Sequence, residues 1–481
     1  MAPTVFAAFA AGWTVMTLQL LGGRLMAPAF GQTIHQWGAL IGATLAFMTL
    51  GYWIGGRWGT GANPGARLPL LLGAGALWAG LTPWLGRPLS IGAEALFGPL
   101  GGALVAASVL LGPPALALAA VSPLCVAHLA RHGPVATASG LVSALGALGS
   151  IGGTFFGAFF AIPLLGLTGG YASAAALAAA AALAAGLPRR SALLVLLPLI
   201  PAALAQRDLA ARFVELRETP YNTILVSDTG TALVLALNTP SVFQSLRRHD
   251  GRPTGYYWDV LAATPALADG TSALFLGVAG GTAVEATRRA WPGLRAEGVE
   301  IDPAVTEIAR RLFGLSIPVA TADARRFVDA PGAAFDIIVV DLYATGQIPA
   351  HVATREFYAA VARRLAPGGV MALNVYGAGD PEAILAPLAA TIGAVFPGLL
   401  AADAGSGNTI LLAWNTPMTL AEAQARLIAA PDAARAAAER MLVGLAEPSP
   451  AWRTAPILTD DRSDLDLRAA RALNAARAPI D

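Results

Sequence analysis

The chain has 481 residues, too many for one ordinary domain, and a net charge of +1 that leaves no electrostatic footprint for nucleic acid. It is 56% hydrophobic and 13% charged, extreme for a soluble protein. One cysteine, Cys125, excludes an intrachain disulfide and a thiolate metal cluster, and the five histidines lack metal-ligand spacing, so no metal is expected. No lysine occurs, and the Ala- and Gly-rich composition points to GC-rich bacterial coding.

Charge divides the chain. Before Ser191 there is a single acid, Glu94, and seven arginines. Residues 1–206 are therefore expected to be a multi-span transmembrane domain in contact with the lipid bilayer. Apolar segments occur at 4–23, 36–56, 68–86, 90–130, 136–165, 168–187 and 191–206. Seven helices result, or eight if Gly112-Pro113-Pro114 splits the fourth segment, since proline breaks the hydrogen-bond ladder. The N-terminus lacks a basic leader region, so its first apolar run is expected to stay as a helix. Gly149, Gly153 and Gly157 form a small-residue stripe, read first as packing within the domain and second as a homodimer contact. Arg24 is expected to snorkel to an interface, with Glu94 as a candidate partner. With seven spans, the arginine-rich loops favour an orientation that leaves the soluble half outside; eight spans place it in the cytoplasm.

Residues 207–265 read as a charged connector and a β-hairpin subdomain. Its strands are 221–226 and 232–237, around Asp228-Thr229-Gly230. Gln244 and Tyr256-Tyr257 follow, then a helix through 259–268. Residues 266–481 read as an α/β, Rossmann-like domain of the S-adenosylmethionine methyltransferase type. Ala273–Leu276 is a buried strand, Gly277-Val278-Ala279-Gly280-Gly281 a turn, and a helix runs through Ala290. A second strand ends in Val299-Glu300-Ile301-Asp302. Asp323-Ala324 and a strand ending at Asp341 continue the β/α pattern. A parallel sheet with its ligand at the strands' carboxyl ends is predicted. Gly277 and Gly281 allow close approach of a ligand, and Glu300 can accept both ribose hydroxyls. The run lacks G-x-G-x-x-G, which favours a nucleoside without pyrophosphate, an S-adenosyl compound, over NAD. His249 is read as solvated. His351 could face the pocket. Residues 419–446 read as a surface helix pair, and Asp460 and Asp461 as capping or salt-bridging groups.

The order of motifs resembles the spermidine synthase (polyamine aminopropyltransferase) family over roughly 215–415. The resembling residues are Thr219-Pro220-Tyr221-x-x-Ile224, Gln244-Ser245, Tyr257, the 277–281 turn, Val299-Glu300-Ile301-Asp302-Pro303, Asp323-Ala324-Arg325, Asp341, Thr354-Arg355-Glu356-Phe357-Tyr358 and Leu365-x-Pro367-Gly368-Gly369. The apolar half resembles that of membrane-fused, transporter-like members, through Gly51-Tyr52-x-x-Gly55-Gly56-Arg57 and the span 138–165; Leu458-Thr459-Asp460-Asp461 adds to that likeness.

The resemblance implies a transferase of polyamine biosynthesis, with decarboxylated S-adenosylmethionine as co-substrate and a small-molecule amine as acceptor. Glu300 would hold the ribose, Asp323 and Ala324 the adenine side, and Gln244 the nucleoside or its thioether end. Asp341 would be the catalytic base, and Tyr257 and Tyr343 would bind the amine. The chain departs from the family pattern at Gly280 and Ala344, where acids are usual, and at Trp258, where histidine is usual. Asp259 is a possible helper. Two other readings stand beside this one: an S-adenosylmethionine-dependent methyltransferase, and a catalytically inactive transporter or sensor. A cofactor made in the cytoplasm places the soluble half on the cytoplasmic side of a bacterial cell membrane.

Overall fold

A computed structural model describes residues 1–31, 33–200, 207, 211–240, 242–268, 270–344, 346–377 and 380–475. The chain divides into two compact units, Met1–Pro220 and Tyr221–Asp481.

The first unit is built of apolar helices: α1 (Ala2–Phe30), α2 (Ile34–Gly59), α3 (Leu68–Leu129), α4 (Val135–Phe155), a π-helical stretch Phe156–Leu165, α5 (Gly166–Ala184) and α6 (Arg189–Leu196). Among the described residues, four helical stretches are long and apolar enough to cross a membrane: Ala2–Phe30, Ile34–Gly59, Pro64–Leu129 and Val135–Ala184. A bilayer core takes about 20 helical residues, so the last two are each long enough for two passes. Each reverses at a glycine with positive φ, Gly98 (69°) and Gly166 (67°). The reversal in α3 is tight. A Cβ on Gly102 would lie 2.6 Å from the carbonyl oxygen of Ala93. The break therefore falls at Gly98, neither between 86 and 90 nor at Gly112-Pro113-Pro114, where Pro113 and Pro114 sit inside the helix. A proline removes one rung of the ladder, whereas reversal needs a left-handed φ that glycine adopts freely. The expected span 191–206 begins as α6, but 201–206 lie outside the described residues.

The glycine stripe is used inside this unit. A Cβ on Gly149 would lie 2.1 Å from the Phe9 carbonyl oxygen, and one on Gly153 2.2 Å from that of Trp13. Thr17 Oγ1 donates to the Gly153 carbonyl at 3.2 Å. Small residues here let α4 lie backbone to backbone on α1, which takes the stripe out of consideration as a homodimer face. Arg24 Nη2 donates to the Thr219 carbonyl at 2.9 Å. A short strand β1 (Glu215–Glu218) follows the helices.

In the second unit, β2 (Thr223–Asp228), β3 (Ala232–Leu237) and β4 (Phe243–Arg248) form an antiparallel meander. The hairpin β2–β3 matches the sequence pattern; β4 lacks apolar alternation and was not expected. His249 is exposed beside Asp228, at 2.9 Å. Helix α7 is short, Tyr257–Leu261, and a 3-10 turn at Thr264–Leu267 replaces the expected longer helix. An eight-stranded sheet follows, in the order β12-β10-β11-β9-β8-β5-β6-β7. Strands β5 (Ser272–Leu276), β6 (Arg295–Glu300), β7 (Val319–Thr321), β8 (Phe335–Val340) and β9 (Leu365–Tyr376) are parallel. Strands β10 (Gly398–Gly405), β11 (Asn408–Trp414) and β12 (Leu445–Ala446) extend it antiparallel.

Apolar cores cover both faces of this sheet, as continuous runs such as Ile337-Ile338-Val339-Val340 require. The connecting helices are α8 (Thr282–Ala290), α9 (Pro303–Ile308), α10 (Ala324–Asp329), α11 (Arg355–Arg364) and α12 (Glu382–Gly393). Helices α13 (Leu420–Ile428) and α14 (Arg435–Gly444) each keep one exposed face, as a surface pair should, and bury Leu427, Ala438 and Met441 in the core on one sheet face. The chain ends its described course in α15 (Leu465–Ala475).

Candidate active site

The glycine turn after β5 is a run of constrained backbone. Positive φ recurs at Gly277 (83°), Ala279 (47°) and Gly281 (87°). A Cβ on Gly277 would stand 2.3 Å from the Asp341 carbonyl oxygen, so only glycine lets β5 and β8 end this close together. Amide groups of the turn converge on Glu300, at the end of β6. Its Oε2 accepts from Ala279 N at 3.0 Å and Val278 N at 3.3 Å, and its Oε1 from Asp302 N at 3.2 Å. Burial pushes the Glu300 pKa above the ordinary carboxylate value, against these three backbone bonds.

Asp302, two residues past Glu300, and Asp323, after β7, cap helices. Asp302 accepts from Ala304 N at 3.1 Å, and Asp323 Oδ1 from Arg326 N at 3.0 Å. The other oxygen of Asp323 pairs with His351 Nε2 at 3.1 Å, so His351 belongs to the Asp323 side. Ala324 is buried as the first residue of α10.

Asp341 follows β8 directly. Tyr257 Oη donates to its Oδ2 at 2.8 Å and Asn374 Nδ2 to its Oδ1 at 3.0 Å. Burial raises its pKa, opposed by Asn374, Tyr257 and Trp258. Among the described residues it forms no ion pair. The Tyr257 phenol is pushed well up by burial and by the neighbouring carboxylate. Tyr343 lies alongside: its hydroxyl donates to the Asn374 carbonyl at 3.1 Å and accepts from Tyr376 N at 2.7 Å. The Tyr257 and Trp258 rings are 4.7 Å apart, and Phe243 and Tyr256 extend the cluster.

Gln244 is the extra residue of a bulge in β4, between the pairs Leu235–Ser245 and Ala236–Phe243. Its Oε1 accepts from Leu237 N at 2.7 Å. Next to it, Ser245 Oγ accepts from Gly280 N at 2.8 Å, and the Thr282 hydroxyl accepts from Leu246 N and donates to Leu246 O. Gly280 has no room for the acid usual at its position: a Cβ there would lie 2.7 Å from Ser245 Cβ. Ala344 pairs through its backbone with Gln347. Asp259 is no helper, because its oxygens accept from Thr254 N, Gly255 N and Arg440 Nη1.

Sequence reasoning missed Asn374. It is 1% exposed, and its Oδ1 is buried without a hydrogen-bond partner. Its signal was a lone polar side chain in the apolar strand Val370–Val375, beside the end of β8. An open depression elsewhere, with Thr306, Arg310, Arg311 and Thr321 in its lining, shares no residue with this cluster. Among the described residues, no group of three His, Cys, Asp or Glu side chains is placed to hold a metal.

No protein-family model matches the chain. Over 197 residues it is 36% identical to a probable polyamine aminopropyl transferase of Bifidobacterium longum, spanning 40% of this chain and 42% of that protein. A polyamine aminopropyltransferase of Vibrio vulnificus is 33% identical over 110 residues, 21% of this chain and 37% of its own. The chain carries a polyamine aminopropyltransferase-like domain. The likeness is to transferases, and the chain spans about two-fifths of the length of these relatives. Among solved structures, this aminopropyltransferase-like chain matches a probable spermidine synthase from Corynebacterium glutamicum, with 21% identity and a TM-score of 0.42 over 50% of this chain and 95% of that one. It also matches spermidine synthase from Thermotoga maritima, with 18% identity and a TM-score of 0.36 over 43% and 74%.

Proposed function

We propose that the chain is a membrane-anchored aminopropyltransferase that uses decarboxylated S-adenosylmethionine, with Asp341 as its base and an acceptor other than a compact diamine. Asp341 carries the reading. It is a half-buried carboxylate at a strand's carboxyl end, held by neutral side chains and, among the described residues, in no ion pair. An amine is protonated at neutral pH and cannot attack until it loses a proton. The Asp341 carboxylate accepts that proton, and burial, by raising its pKa, makes it a better base. The freed nitrogen lone pair then forms a bond to the aminopropyl carbon beside the sulfonium. The carbon–sulfur bond breaks, its electrons neutralise the sulfonium, and methylthioadenosine leaves. Tyr257 and Asn374 fix the carboxylate's rotamer through one bond to each oxygen.

The nucleoside end fits Glu300, Gly277 and Gly281, with Asp323 and Ala324 toward the adenine and Gln244 beside the glycine turn. Charge sets the acceptor. A diammonium requires a carboxylate at each end to offset its desolvation. Asp259 is committed to Arg440, Gly280 is walled by Ser245, and position 344 is alanine, which leaves Asp341 to meet one ammonium. The long apolar helices favour an anchor in a bacterial cell membrane, with the enzyme domain on the cytoplasmic side where S-adenosyl compounds are made.

Release of methylthioadenosine by the full chain in detergent tests the reading, using decarboxylated S-adenosylmethionine with a panel of monoamines and diamines. Release that requires an amine supports it. Turnover of S-adenosylmethionine instead would move the assignment to a methyltransferase.

A further inference from the structure

Residues 458–462, far along the chain from the strand ends, meet the site's rim through one side chain. Asp460 takes both arms of the Arg325 guanidinium: Nη1 donates to Oδ1 and Nη2 to Oδ2, each at 2.5 Å. Arg325 Nη1 also donates to the His351 carbonyl at 2.9 Å and to Thr354 Oγ1 at 3.2 Å. Thr354 Oγ1 in turn donates to Asp460 Oδ1 at 2.7 Å. The backbone closes the arrangement, with Asp460 N donating to Glu356 Oε2 at 3.0 Å and Arg355 N to the Leu458 carbonyl at 2.8 Å. Leu458 is buried in the core, and its N–H is held by Thr391 Oγ1 at 2.9 Å, so this segment is anchored from below.

An isolated exposed ion pair contributes little to stability. This one differs in what it joins. Arg325 is the second residue of α10, which Ala324 opens and Asp323 caps. His351 and Thr354 close the loop that begins at Asp341. The two segments leave β7 and β8, which are not neighbours in the sheet: β5 and β6 lie between them. Sheet hydrogen bonds therefore do not set their spacing above the strand ends. Side chains do: the planar fork of Arg325, read by a carboxylate and two further oxygens, together with the His351–Asp323 pair at the rim and Arg364 Nη1, which donates to the Phe327 and Ala330 carbonyls at the far end of α10.

We propose that Asp460 is a positioning residue. Through Arg325 and Thr354 it holds the start of α10 against the loop after β8, and so helps to fix the width of the nucleoside end of the site. This rests on the aminopropyltransferase reading above. The spacing of the two segments themselves is measurable without any ligand.

The test compares full-length wild type with Asp460→Ala, Arg325→Lys and, as a control, Asp464→Ala, which removes the Arg468–Asp464 pair on α15. Hydrogen exchange is followed at 323–327 and 350–356. KM for decarboxylated S-adenosylmethionine, kcat and methylthioadenosine affinity are measured alongside. Asp460→Ala is expected to speed exchange in both segments and to raise KM roughly tenfold, with kcat changed less than about threefold. Arg325→Lys keeps the charge but loses the fork, and should behave like Asp460→Ala. The control should leave KM and both segments unchanged. Unaltered exchange in Asp460→Ala would overturn the clamp, as would a fall in kcat at constant KM. Wild-type protein that binds no methylthioadenosine would overturn the enzyme reading itself, a failure told apart because it needs no variant.

Discussion

The ends of β6 and β8 each present a carboxylate, Glu300 buried and Asp341 half-buried, and the two are held in opposite ways. Glu300 is gripped by three backbone amides that belong to the fold itself. Asp341 is held by the side chains of Tyr257 and Asn374, which come from α7 and β9. Burial raises both pKa values. A carboxylate fixed by the backbone is suited to recognition, since its partners cannot be changed without rebuilding the turn. One fixed by side chains is suited to chemistry, since its basicity can be tuned one residue at a time.

The sharpest way to break this contrast is Asp341→Asn. Turnover should fall by about a thousandfold, with methylthioadenosine affinity unchanged by calorimetry. Equal loss of both would mean that Asp341 serves binding. Its stability should move the other way. The folded pKa of Asp341 is raised, so its contribution to stability is present at low pH and lost as pH rises through that pKa. At neutral pH the substitution should therefore raise the melting temperature, and the unpartnered Asn374 Oδ1 can accept from the new amide.

Glu300→Gln should do the reverse. It turns a donor toward backbone N–H groups, at about 1–3 kcal/mol, and should weaken nucleoside binding roughly 10- to 100-fold. A thermal melt should show destabilisation as well.

Tyr257→Phe is milder. It removes a bond that lowers the Asp341 pKa, so the acid limb of the kcat/KM profile should move to higher pH. An unmoved limb would assign that limb to another group. The smallest effect is expected from Ala279→Gly. It relieves a left-handed alanine at φ 47° and should stabilise the protein by about 0.5 kcal/mol in denaturant melts.

The order of glycine turn, Glu300, Asp323 and Asp341 was legible because a parallel sheet puts each at a strand end, where sequence position implies spatial position. Partners brought in from elsewhere were not. Asn374 reaches Asp341 through the pairing of β8 with β9, which no local pattern encodes. Strand β4, Phe-Gln-Ser-Leu-Arg-Arg at 243–248, has its bulge at Gln244 and is specified by contact with the glycine turn rather than by alternation. In the first unit, prolines drew attention to 112–114, while the reversal sits at Gly98, whose φ is invisible in the sequence.

The alternation of handedness at Gly277, Ala279 and Gly281 turns successive N–H groups toward one point, the kind of concavity that captures anions. In nucleotide-binding loops that anion is a phosphate of the ligand. Here the protein fills the concavity with its own side chain, Glu300. An incoming phosphate would meet the Glu300 carboxylate and amides already bonded within the protein, so with a nucleoside bound as proposed the turn would disfavour phosphorylated nucleotides by occupancy as much as by shape.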